Sequence, residues 1–161
     1  SLNISLNIPS AYSVFKKEPQ TVWLQKPLKT GTSNLIIKEL NDPPVSGFEN
    51  INLNDIIYLR DLMGKEFIPG RVENSYMITE EEYLPYISYK SIDGFKAIET
   101  RGTWEVKGDY MGGPFINYII KDTINKNLLY VEGFVFSPSQ RKRDKMIELE
   151  AVIKSMVIGK R

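Results

Sequence analysis

Without cysteine or histidine, this chain must assemble any reactive site from carboxylates, basic groups, hydroxyls and aromatic rings. That excludes thiolate nucleophiles, imidazole bases, Ser-His and Cys-His pairs, disulfides and zinc-thiolate centres. No metal ion or cofactor is expected. The carboxylates are the natural place to look for acid–base chemistry. Glu99, Arg101 and Glu105 share one parity of a predicted strand, and carboxyl groups roughly 5–10 Å apart can cleave a glycosidic bond. The same spacing also fits a solvated charge ladder with arginine between the acids. Glu132 stands out differently. It shares its parity with Leu128, Tyr130, Phe134 and Phe136, so its carboxylate must be paired, hydrogen-bonded or protonated. Arg60 and Arg101 are the candidate partners.

Other patterns are less specific. Ser13–Lys16 and Ser139–Lys142 have the Ser-x-x-Lys spacing of penicillin-binding enzymes. The first pair sits in a predicted strand, where such residues face opposite ways; the second lacks the partner motifs. Asp109-Tyr110-Met111-Gly112-Gly113-Pro114 suits either a backbone cradle for an anion or a tight connection needing positive φ. No Lys-Ser/Thr ending follows, so it is not a P-loop. Tyr76, Tyr83, Tyr86 and Tyr89 cluster, which suits stacking on sugars or a protein partner, and equally half-buried strands. Arg141-Lys142-Arg143 places positive charge at the start of the last helix, against its dipole. That run fits a phosphate site or a solvated face.

The elements that must position these groups are legible from periodicity. Leu2, Ile4, Leu6 and Ile8 alternate with polar residues, predicting a half-buried strand that ends at Pro9. Further strands are predicted over Tyr12–Lys16, Thr21–Leu28 and Asn34–Leu40, before Asn41-Asp42-Pro43-Pro44 breaks the pattern. Asn52–Ile68 reads as a helix. Asn52 is placed to cap it, and Ile56, Leu59, Met63 and Phe67 recur at helical spacing up to Pro69-Gly70. Strands follow over Ser75–Thr79, Tyr86–Ile92 (turned by Asp93-Gly94) and Phe95–Lys107. Gly108 to Pro114 reads as a loop. Phe115–Lys121 and Leu128–Phe136 form a predicted hairpin, apolar on both parities and so covered on both faces. Ser137-Pro138-Ser139-Gln140 resembles a capping box for a final helix carrying Met146, Leu149, Ile153 and Met156.

The expected fold is therefore α+β: a mostly antiparallel sheet of six to eight strands with one helix on each face, a three-layer arrangement. Its length of 161 residues suits one domain. A net charge of +1 gives no global case for nucleic acid or an anionic membrane. No apolar run approaches the ~20 residues of a membrane-spanning helix, and no signal peptide is visible. The chain opens at Ser1 rather than Met and reads as a trimmed or processed piece.

A set of motifs carries a family resemblance. Arg60-Asp61, Ile68-Pro69-Gly70, Ser75-Tyr76-Met77, Arg101-Gly102-Thr103-Trp104-Glu105, Met111-Gly112-Gly113-Pro114-Phe115 and Val131-Glu132-Gly133-Phe134-Val135 occur in that order. Pro138, Lys142-Arg143 and Leu149-Glu150-Ala151 close the set. Together, from about Ile8 to Ile158, they resemble domain-of-unknown-function family 4837. Thr103 departs from the pattern, where a leucine is expected. The resemblance implies a longer bacterial envelope lipoprotein of which this is the C-terminal part, with the lipid-bearing cysteine upstream. The implied location is the periplasmic face of the envelope, with membrane contact only through that anchor. The resemblance supplies no reaction. The order of elements is also similar to PsbP-like folds, which are binding and assembly factors; that likeness is topological analogy.

The leading expectation is a non-enzymatic envelope module that binds or assembles with a protein or glycan. Its surface is assigned to Arg60, Arg101, Trp104, Glu105, Met111, Gly112, Gly113 and Glu132. One alternative is a glycan hydrolase using two of Glu99, Glu105, Asp109 and Glu132. Another is a carrier with an aromatic-lined pocket between sheet and helix.

Overall fold

The computed structural model describes residues 2–43 and 45–161. Its strands are β1 (Ile4–Ser5), β2 (Ser13–Glu18), β3 (Thr21–Leu28), β4 (Gly31–Leu40), β5 (Tyr76–Thr79), β6 (Tyr86–Ile92), β7 (Phe95–Lys107), β8 (Asp109–Asp122), β9 (Asn127–Phe136) and β10 (Val157–Ile158). Two α-helices accompany them, α1 (Leu53–Phe67) and α2 (Arg143–Lys154). The main sheet is antiparallel in the order β2-β3-β4-β9-β8-β7. Its far side is shared: β6 pairs with Phe95–Arg101 of β7, and β5 with Trp104–Lys107.

The central strands are apolar on both faces because each face carries a helix. One face packs Trp23, Ile36, Ile98, Trp104, Phe115, Ile119, Tyr130 and Phe134 against Ile56, Leu59, Met63 and Phe67 of α1. The other packs Leu35, Ile37, Ala97, Ile116, Tyr118, Val131 and Val135 against Leu149, Val152 and Ile153 of α2 and Met156 just beyond its end. The result is the α+β three-layer arrangement that the order of elements implies. Asn52 caps α1 as its position predicts: its side chain accepts from the Asp55 N–H, and Asp55 accepts from the Asn52 N–H, both at 3.0 Å.

Three local expectations are corrected. Only Ile4–Ser5 of the predicted N-terminal strand is paired, and its partner is β10. The alternation still has its physical cause: Leu2, Ile4, Leu6 and Ile8 pack on the α2-side core while Asn3, Ser5 and Asn7 are exposed. The second correction concerns α2. It starts at Arg143 behind Lys142, with no side-chain cap, and Ser137–Gln140 instead turns the chain out of β9. The third is the predicted loop before Pro114, which is the bulged start of β8. Val106 pairs with Asp109 but Glu105 pairs with Gly112, so Tyr110 and Met111 bulge out of the ladder. Gly113 is not there for positive φ. A Cβ at that position would meet the Val135 carbonyl oxygen at 2.1 Å, so it is the close approach of β8 to β9 that requires glycine. Asp109 and Gly112 to Pro114 are thus paired in the ladder, and only Tyr110 and Met111 stand outside it.

Candidate functional site

Pairing settles Glu132 first. On the α1 face, Arg60 donates from Nε to Glu132 Oε1 at 2.5 Å and from Nη2 to Oε2 at 3.0 Å. Arg60 Nη1 also donates to Thr79 Oγ1 at 2.5 Å, and the guanidinium lies 3.4 Å from the Phe115 ring centroid. Glu132 Oε1 additionally accepts from Asn117 Nδ2 at 3.1 Å and from the Tyr130 hydroxyl at 3.0 Å. Both charged side chains are 1% exposed. Burial pulls the Arg60 pKa down, but the carboxylate more than offsets it, so the guanidinium stays charged. Burial, then the neighbouring Glu132 charge, pushes the Tyr130 hydroxyl well above its ordinary pKa, so it remains a donor. This network is sealed from solvent, and within it the Asn117 side-chain oxygen has no hydrogen-bond partner.

Arg101 belongs to a different network on the α2 face. It donates from Nε to Glu99 at 2.9 Å and from Nη2 to Glu150 at 2.7 Å. Glu99 also accepts from the Tyr118 hydroxyl at 2.5 Å, and Glu150 holds Lys154 at 2.8 Å. The Arg101 side chain is 31% exposed and lines a groove of about 350 Å³ with Tyr83, Leu84, Tyr86 and Met146. Lys154 and then Arg101 hold the Glu150 carboxyl below its usual range against a partial burial that raises it.

The concave feature with the most aromatic character lies on the α1 face, where the sheet runs past the end of α1. A recess of about 220 Å³ opens there between Trp23, Trp104, Phe134 and Phe136, with Met77 and Met111 completing the apolar wall. Both tryptophans of the chain line it. Their rings and those of Phe15, Phe67, Phe134 and Phe136 form a continuous series, with centroids 4.7–6.1 Å apart. The polar wall is already satisfied. The Asn34 side-chain oxygen accepts from Trp23 Nε1 and Gln25 Nε2, each at 2.9 Å, and the Trp104 indole donates to the Val135 carbonyl at 3.2 Å. Arg71 stands at the rim with its side chain 63% exposed, bonded to Asp109 at 3.0 Å.

The residues expected to share one surface are therefore divided among three places. Arg60 and Glu132 are sealed inside, Arg101 faces α2, and Trp104 and Met111 line the recess. The recess adjoins an open depression of about 480 Å³ that the same Trp104 and Met111 border together with Glu105, Gly112 and Asp109. The physical reason is strand alternation: neighbours along β7 point to opposite faces, so Arg101 and Trp104 cannot act together. The same geometry bears on the carboxylate alternative. Glu99 and Glu132 stand on opposite faces and each already holds an arginine. Asp109 is cross-strand to Val106 on the α1 side, whereas Glu105 has the opposite parity. Arg71 holds Asp109 low, while partial burial and then Glu80, Glu82 and Asp61 raise Glu105. Glu105 and Asp109 nonetheless border one open depression, where Asp109 is already held by Arg71 at 3.0 Å. Sequence reasoning missed Trp23, Asn34 and Phe136 as recess residues. Trp23 was the available signal, as the one tryptophan besides Trp104, but nothing local tied the two together.

In fold, the chain is similar to a solved structure of LpqN, described as involved in cell envelope biogenesis of Mycobacterium tuberculosis. The TM-score is 0.51 at 10% identity, over 96% of this chain and 82% of that one. Among curated proteins, no sequence matches. The family comparison, in contrast, spans nearly the whole sequence: residues 1–155 match the family described as Domain of unknown function (DUF4837), and the chain belongs to that family.

Proposed function

We propose that this chain is a non-enzymatic binding module of the bacterial cell envelope, held at its periplasmic face through a lipid anchor, as the family resemblance implies. Its receptor site is the Trp23–Trp104 recess, which accepts one bulky apolar group of a partner protein. The observation that carries this reading is the recess itself: aromatic, open to solvent, and with the indole and Asn34 groups already bonded within the wall. At about 220 Å³ it is smaller than the roughly 300–1,000 Å³ of small-molecule sites. That size suits an anchor side chain, the buried centre of many protein interfaces. The envelope setting draws support from the family resemblance and from the likeness in fold to LpqN.

The test uses the two tryptophans as reporters. Anilinonaphthalene sulfonate should gain emission on binding and quench fluorescence excited at the indole band; Met111→Glu should suppress both without lowering the melting temperature. Unchanged fluorescence in the wild type, or the same response in the variant, removes the recess as a binding site. A second reading, a small-ligand carrier, is favoured by the position of the recess between sheet and helix end. Native mass spectrometry of protein purified from envelopes separates the two: a carrier retains an added small-molecule mass, and a protein-binding module does not.

A further inference from the structure

On the α2 face, the helix packs chiefly on β9 and β8 and leaves the β6 side of the sheet open as a groove. The floor of the groove runs from Tyr86 through Arg101, opposite it on β7, to Thr103 and Pro114, which stand opposite each other on β7 and β8. One bank is Tyr83-Leu84, just before β6; the other is Met146, in the first turn of α2. Tyr83, Leu84 and Tyr86 are 74%, 67% and 62% exposed, and Ile147, next to Met146, is 53% exposed. Exposed apolar side chains gathered in one place mark an interaction surface.

The two banks carry opposite charge. Glu80, Glu81 and Glu82 lead directly into Tyr83. Glu80 turns back to accept from the Glu82 and Tyr83 N–H groups at 2.6 and 3.2 Å, so Glu81 and Glu82 are the outward acids of that bank. Arg141 and Arg143 lead into Met146, and with Lys142 and Lys145 they outnumber the one acid there, Asp144. Arg143 stands three residues before Met146 and four before Ile147, so it shares their side of α2. Among the described residues, Glu81, Glu82, Arg141 and Arg143 are exposed and none of them makes an ion pair. In an isologous dimer one patch meets itself, so each bank faces the opposite bank of the other copy. A foreign partner would have to bring both charges at this spacing, whereas a second copy brings them by symmetry. A net charge of +1 leaves little overall repulsion between copies. We propose that this groove is a self-association surface on which two copies pack face to face about a twofold axis. Tyr83, Leu84, Tyr86 and Ile147 meet at its centre, and Glu81 and Glu82 of each copy face Arg141 and Arg143 of the other. The tryptophan recess lies on the α1 face and stays open in such a dimer, so neither proposal depends on the other.

Sedimentation equilibrium tests this on the chain itself, which should show a concentration-dependent dimer. Glu81→Lys with Glu82→Lys makes both banks basic, and Arg141→Glu with Arg143→Glu makes both acidic. Each of these variants alone should dimerise at least about tenfold more weakly, because like charges then face each other. Mixed in equal amounts, the two should recover a dimer containing one copy of each, which also shows that both are folded. Tyr86→Glu, at the centre, should stay monomeric. A monomeric wild type overturns the proposal and leaves the groove to a foreign partner. So do reversed variants that dimerise like the wild type, a mixture that associates no more tightly than either variant alone, or a Tyr86→Glu chain that still dimerises.

Discussion

Arg60 and Arg101 stand on opposite faces of one sheet, and each holds a glutamate that the sheet itself supplies. Their surroundings make them different objects. The Arg60–Glu132 pair is 1% exposed on both sides and takes further bonds from Thr79, Asn117 and Tyr130. The Arg101 side chain is 31% exposed and bridges a buried acid, Glu99, to a helix acid, Glu150. Burial decides what the same chemistry does. A sealed pair fixes how α1 sits on the sheet, since removing one partner strands a charge in the interior. A partly wetted pair ties α2 to β7 loosely enough to border a groove.

The largest effect that would break this contrast is expected at Glu132. Glu132→Ala should cost about 3–5 kcal/mol of stability in urea unfolding, because it leaves the guanidinium buried and unpaired. The double change Arg60→Met with Glu132→Leu should recover most of that loss; an equal loss in the double variant would show that packing, not the pair, sets the cost. Next comes Arg101→Met, expected at about 1–3 kcal/mol because Glu99 keeps the Tyr118 hydroxyl as partner. A cost as large as that of Glu132→Ala would erase the distinction between the two faces.

A pH series sharpens it further. Glu150 is held below its unfolded pKa, so its pairing stabilises the fold above roughly pH 4.3 and that contribution fades as pH falls through the folded value. Wild type should therefore be more stable than Glu150→Gln at pH 6, and the gap between the two urea midpoints should narrow as pH falls below about 4. A gap of constant size would mean that Glu150 acts by packing alone. The smallest effect belongs to Lys154→Ala, at most about 0.5 kcal/mol by the same measurement, because it makes an i,i+4 contact from an exposed side chain and leaves Glu150 its bond to Arg101.

Much of the fold was legible because its signals are local and repeated. The helical spacing of Ile56, Leu59, Met63 and Phe67 and the two-faced apolarity of Phe115–Lys121 and Leu128–Phe136 require a helix on a doubly covered sheet. Two sites of error were also local. Ser137–Gln140 has the letters of a capping box but lies where the chain must leave β9, and the glycines after Met111 looked like a loop. Gly113 was placed by the Val135 carbonyl of β9, a neighbour that no stretch around Gly113 reveals. The candidate site was legible only in pieces. Parity marked Glu132 as needing a partner and offered Arg60 and Arg101; choosing Arg60 required the sheet order.

By itself, the sequence determined which chemistries are closed to this protein, where its helices and most strands run, and that Glu132 could not stand alone. Those properties follow from residue type and from periods of 2 and 3.6, which act within a few neighbours. Only the tertiary structure decided that Arg60 and Arg101 work on opposite faces and that Trp23 meets Trp104 across one recess. Each of these depends on which strands lie side by side and on burial between distant elements. Sheet order is a global solution to covering apolar faces, and no local window of the chain contains it.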